Sequence, residues 1–173
     1  GVLYPVKTDF RAVLKLIGEV KQAGEPGSRL FLILRLYKKK IPPDIQGAVQ
    51  AVTDFIAGIR SAEKEKEREG SGKQTFSYEK DAPYIISDFQ NYYGIDLLTC
   101  KYLHWQKFQM LLEGLPDDSG TKTRIGYRSI DAGKIRDKQE RQRIQKIQRA
   151  ISLEDERDEE QIGDLFAAAM WGD

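Results

Sequence analysis

One histidine and one cysteine are all that 173 residues supply of the side chains most used to hold metals and to activate nucleophiles. With Cys100 alone, no intramolecular disulfide can close and no thiolate cluster can bind zinc or an iron–sulfur centre. A reducing cytosol fits that usage. His104 is the sole imidazole, and between Leu103 and Trp105 it is expected to make a structural hydrogen bond rather than to do acid–base work. Cys100 and His104 stand four apart in a segment read as helical, where they would share a face; a buried, inert thiol is the expected reading. No catalytic residue, cofactor site or metal site is assigned, and no enzymatic activity is expected. Long apolar runs are missing too. The longest, Leu30 to Tyr37, contains Arg35 and falls far short of the roughly 20 residues that cross a bilayer, so no membrane association is expected. Nothing resembles a basic, then apolar, then small-residue export signal, and the sequence opens without an initiator Met, as expected of a processed or trimmed start. Gly70-Ser71-Gly72-Lys73 lacks the spacing of a phosphate-binding loop and follows a charged stretch rather than a buried strand.

What is present is typical of a globular, helix-rich chain: 40% hydrophobic and 32% charged residues, with enough length for one core. The net charge of +1 conceals a polarised C-terminal third. Residues 120 to 151 carry ten Lys/Arg against three Asp/Glu, a surplus of +7, whereas 152 to 173 carry eight acidic residues against Arg157 alone, −7. The cations include Lys122, Arg124, Arg128, Arg136, Lys146 and Arg149 and could meet phosphates, which makes nucleic acid the alternative partner. Against it, no aromatic residue interleaves them after Tyr127 and the acidic run can neutralise them, so a solvated or internally paired face is expected. The acidic run itself lacks the glycine and spacing of a calcium loop.

Apolar periodicity organises the chain as an all-α protein. Val2 to Val6 is β-prone and contains Pro5, which suits an edge strand or extended arm. Asp9 caps a helix carrying Val13, Leu14, Ile17 and Val20, stopped at Gly24 to Gly27. Ser28 is read as the cap of a short helix of Leu30 to Leu36, apolar nearly all round and therefore expected at the centre of the core, with a buried strand as the competing reading. Asp44 starts a third helix with the stripe Val49, Val52, Phe55, Ile56 and Ile59. Ala62 to Glu69 is an alternation of charges expected to protrude into solvent, and residues 70 to 77 are read as a flexible loop. Further helices are expected from Asp81 to Gly94, from Thr99 to Glu113, from Thr121 to Tyr127, and from Asp137 to Ile151, the last with a narrow stripe of Ile144, Ile147 and Ile151 that wants a partner surface. Residues 1 to 151 are thus one helical domain, and 152 to 173 an acidic linker with an amphipathic helix. In that helix Leu165, Phe166, Met170 and Trp171 are the candidate partner-binding anchors; they either cover their own core or enter a groove on another subunit or partner.

At Ile95-Asp96-Leu97, Tyr102-Leu103-His104-Trp105, Phe108 and Leu112 to Pro116, the sequence resembles a family of tailed-bacteriophage tail assembly chaperones encoded beside the tape-measure gene. Thr8-Asp9-Phe10-Arg11, Tyr37 to Pro43, Asp81-Ala82 with Ile85, and Tyr127-Arg128-Ser129-Ile130-Asp131 extend the resemblance in order over residues 1 to 150. It implies a helical, non-catalytic protein of the host bacterial cytoplasm, absent from the mature virion. Such a protein coats the tape-measure protein in many copies, as a homo-oligomer, until tail-tube protein displaces it. Tyr102, His104, Trp105 and Phe108 would be core or groove residues of the family motif. A structural tail or connector component and a basic nucleic-acid binder remain the alternatives.

Overall fold

A computed structural model describes residues 2–58 and 74–153. These residues are mainly helical: seven α-helices and one 3₁₀ turn, with backbone bridges but no strand. They divide into two compact units, 2–58 with 85–116 and 74–84 with 117–153. No described helix is long and apolar enough to cross a membrane.

The first unit starts with an extended arm held along both sides. Val6 bridges Tyr37, with Lys7 N donating to the Leu36 carbonyl at 2.8 Å and Lys38 N to the Pro5 carbonyl at 2.9 Å. Asp9 bridges His104, with Phe10 N donating to Leu103 and Trp105 N to Thr8. The arm is therefore paired twice rather than edging a sheet. Helix α1, Phe10–Gln22, is capped by the Asp9 carboxylate, which accepts from Arg11 N at 3.0 Å and also from Leu103 N at 3.3 Å. Its spacing buries Phe10, Val13 and Leu16.

Helix α2, Pro26–Leu34, begins at the proline and not at a Ser28 cap, because the fixed φ of Pro26 suits the first helical position and its missing N–H is not needed there. It is not the centre of the core. Leu34 is buried, but Leu30 is 41% and Phe31 66% exposed, since α2 packs against α1 and α3, Ile45–Ala57, and its opposite face meets solvent. In α3 the Asp44 carboxylate accepts from Gly47 N, and Ala48 and Val52 are buried.

The α3 terminus is built around Gly58, whose φ of 61° and ψ of −139° are open essentially to glycine alone. Just before it, the Ile56 carbonyl accepts from the Trp105 indole at 2.9 Å and from the Gln109 amide at 3.2 Å. A Cβ at position 58 would collide with that same Gln109 amide. Gly58→Ala is therefore expected to destabilise the protein by about 1–3 kcal/mol from backbone strain, with the displaced hydrogen bond in addition. The thermal midpoint reads it; a midpoint unchanged from wild type would show that the α3 terminus does not need this geometry.

Helix α4, Ala82–Tyr93, ends at Gly94, in the left-handed region at φ 64°. A turn follows in which Asp96 accepts from Leu98 N and from the Thr99 hydroxyl, and these bonds hold its carboxyl below the usual carboxylate range. Whatever stability Asp96 adds is thus present at neutral pH and lost as pH falls through that lowered value. Helix α5, Trp105–Glu113, closes the unit with Trp105, Phe108, Gln109 and Leu112 buried. Phe108 is the hub of the core: its ring centroid lies 4.9 Å from Phe10, 5.1 Å from Phe89 and 5.7 Å from Trp105, stacked in each case.

In the second unit, α6, Gly120–Ser129, is capped by Ser119, and α7, Lys138–Ala150, by Asp137. Between them lies the 3₁₀ turn Ala132–Lys134. Helix α7 packs on α6 and on that turn, burying Ile144, and Gln148 donates to the Tyr127 and Ile130 carbonyls. The isoleucine stripe thereby finds its partner within its own unit. Residues 74–77, expected to be flexible, are tied in: Thr75 O accepts from Arg128, and Ser77 N donates to the Asp81 carboxylate.

Candidate functional site

The motif residues separate by role. Trp105 and Phe108 are core side chains, each 1% exposed. His104 is not within a helix. It is the N-cap of α5, its Nδ1 accepting from Gln106 N at 3.3 Å and its ring meeting Phe55 edge-on. The helix expected from Thr99 starts only at Trp105, because the Leu103 and Trp105 backbone groups are engaged by the N-terminal arm. Cys100 and His104 consequently do not share a helix face; the Arg11 guanidinium lies 3.1 Å from the Cys100 Sγ and also bonds its carbonyl. Tyr102 is an exposed side chain whose hydroxyl meets the Thr8 hydroxyl at 2.7 Å. Leu165, Phe166, Met170 and Trp171 lie outside the described residues.

The basic stretch loses members to internal contacts. Arg128, 4% exposed, forms a two-pronged pair with Asp81 at 2.8 Å on each prong and also donates to the Ile151 and Thr75 carbonyls. Arg124 stacks 3.5 Å above the Tyr84 ring. Lys134 and Arg143 pair with Asp131 and Glu140. Those two pairs are themselves solvent-exposed, and Arg136, Lys138, Lys146 and Arg149 are exposed as well.

Two surfaces of the first unit are apolar and open. One is the outer face of α2, where Leu30 and Phe31 stand in solvent. The other is a groove of about 380 Å³ lined by Tyr4 and Val6 of the arm, Tyr37 and Pro42 beyond α2, and Ala48, Ala51, Val52 and Phe55 of α3, with Asp44 and Gly47 at its end. Its shape is fixed by the Val6–Tyr37 bridge and by the Tyr37 hydroxyl, which donates to the Ala48 carbonyl at 3.0 Å; burial raises the Tyr37 pKa and keeps that donor protonated further into alkaline pH. A smaller cleft of about 120 Å³ between α1 and α2 is rimmed instead by Lys15, Glu19 and Arg35, which pair with one another. Among the described residues no group of three or more His, Cys, Asp or Glu side chains could hold a metal ion.

Sequence reasoning missed both surfaces. The groove joins residues 4, 37 and 55, and only the backbone pairing of the arm brings them together; the exposed face of α2 was signalled by its apolar residues on every side, a signal that reads equally as burial.

No curated protein and no solved structure matches the chain. The profile of the bacteriophage Gp15 protein does, over residues 1–153, a span that takes in every element described above. Within that span, Thr8 to Arg11 interlock with Cys100 to Phe108, and Asp81 with Arg128. The chain belongs to the bacteriophage Gp15 protein family.

Proposed function

We propose that the protein is a tail assembly chaperone that binds the tape-measure protein and keeps it soluble during tail morphogenesis, without catalysis. The observation that carries the reading is α2: a nine-residue helix whose last five residues, Leu30 to Leu34, are all apolar, with Leu34 buried and Leu30 and Phe31 left to solvent. Exposed apolar surface of this kind marks an interaction site, and a client that is long, helical and apolar is held by side chains such as these through many copies of a modest contact. Membership of a phage family and the resemblance to tail chaperones support the choice of client. Copies would self-associate along the client in the host cytoplasm, and tail-tube protein would displace them, leaving none in the finished virion. The competing nucleic-acid reading loses two of its cations to internal contacts, Arg128 to Asp81 and Arg124 to the Tyr84 ring.

Co-expression with the tape-measure protein of the same genome tests this. A soluble co-complex with a client that precipitates alone is expected, and Phe31→Lys, at a position exposed enough to leave stability within about 0.5 kcal/mol, should return the client to the insoluble fraction. A client that is soluble alone, or that precipitates beside wild-type protein, refutes the proposal.

A further inference from the structure

Between two of the residues that line the apolar groove, the chain carries charge that the first unit leaves unbalanced. Lys38, Lys39 and Lys40 are exposed and span the stretch between the lining residues Tyr37 and Pro42, and no described carboxylate lies within ion-pair distance of them. The one acid lining the groove, Asp44, is turned to the Gly47 N–H at 3.0 Å. A ligand suited to this surface has an acidic run joined to large apolar side chains. The chain supplies one in its own sequence: Glu154-Asp155-Glu156 and Asp158-Glu159-Glu160, followed by Leu165, Phe166, Met170 and Trp171. At about 380 Å³ the groove falls within the ~300–1,000 Å³ of clefts that bury a compact ligand, room for one or two of those anchors.

We propose that residues 154 to 173 of one copy dock in the groove of a second copy, apolar anchors against Ala51, Val52 and Phe55 and the acidic run along Lys38 to Lys40. The basic face of α7 offers charge of the same sign, but its Ile144 is buried within its own unit, where α7 packs on α6 and the 3₁₀ turn. Each copy offers one tail and one groove, so the contact closes into a dimer or ring where its geometry returns to the first copy and runs head to tail into open chains where it does not. Open chains suit the lining of an extended client, so this contact deepens the proposed self-association by naming its two halves, and it forms without the client.

A charge exchange between full-length chains tests it. One variant reverses the groove (K38E/K39E/K40E) and another reverses the tail (E154K/D155K/E156K), each first checked for wild-type helix content. Wild-type chains are expected to self-associate in light scattering and sedimentation, less so at high salt. Each variant alone should associate about tenfold or more weakly, because like charges then face each other, and a one-to-one mixture should recover association toward wild type because both pairings are complementary again. Ala51→Arg, an exposed position in the groove, should abolish association with every lysine in place. A wild-type chain that stays monomeric, a mixture no better than its components, or an Ala51→Arg chain that associates normally overturns the proposal. These outcomes are read without client, so they fail separately from the co-expression experiment.

Discussion

Replacing Phe108 by alanine is expected to destabilise the first unit by about 3–5 kcal/mol, the range for large aromatic truncations in a packed core. Phe108 is 1% exposed, and its ring is stacked on Phe10 of α1, Phe89 of α4 and Trp105 of its own helix. Removing it takes three aromatic contacts at once and leaves a cavity whose walls come from three helices, so no single rotamer change can fill it. Phe108→Leu keeps most of the volume and should cost clearly less. Urea denaturation read by circular dichroism measures both. A loss below about 1 kcal/mol for the alanine variant would mean that the stack is not what holds the helices together.

Arg128→Ala is expected to cost the second unit a comparable amount, about 3–5 kcal/mol, for an electrostatic reason. Asp81 is fully buried, and its two carboxylate oxygens face the two Arg128 prongs at 2.8 Å. Without the guanidinium, a buried carboxylate is left with the Ser77 N–H as its remaining partner here, and the Ile151 and Thr75 carbonyls each lose a donor. Arg128→Lys should rescue little, because an ammonium cannot reproduce the planar fork that serves Asp81 on two prongs and two carbonyls besides. Pairing Asp81→Asn with Arg128→Ala should cost less than the sum of the two single changes, since the second change removes a charge that the first has stranded. Hydrogen exchange of the α6 and α7 amides would locate the loss; protection unchanged in the Arg128→Ala variant would contradict the role of the pair.

Both predictions concern residues that a sequence reading handles poorly. Phe108 stands out as one of several aromatics in its segment, but nothing in the spacing says that Phe10, 98 positions earlier, is its stacking partner. Arg128 counts with nine other cations in the basic stretch, and only the fold removes it from the surface. Helix starts were legible wherever an Asp stands at the cap, as at Asp9, Asp44 and Asp137, because the side chain satisfies N–H groups two or three residues on and the signal is wholly local. The start of α5 was misplaced by six residues' worth of helical pattern from Thr99 because its boundary depends on backbone pairing with Thr8 and Phe10. Pattern within a segment cannot report a partner so far away in the chain.

The sequence by itself determined what depends on inventory and on neighbours a few residues apart: the all-α class, the caps, the stop at Gly94, the absence of any thiolate cluster, and membership of a bacteriophage family, matched over residues 1–153. Tertiary structure alone decided the division into two units, the burial of Arg128 against Asp81, the outward face of α2 and the groove between arm and α3. Each of these rests on which of several apolar or charged faces is covered, and that is settled by long-range packing and hydrogen bonding rather than by the periodicity that makes a segment a helix.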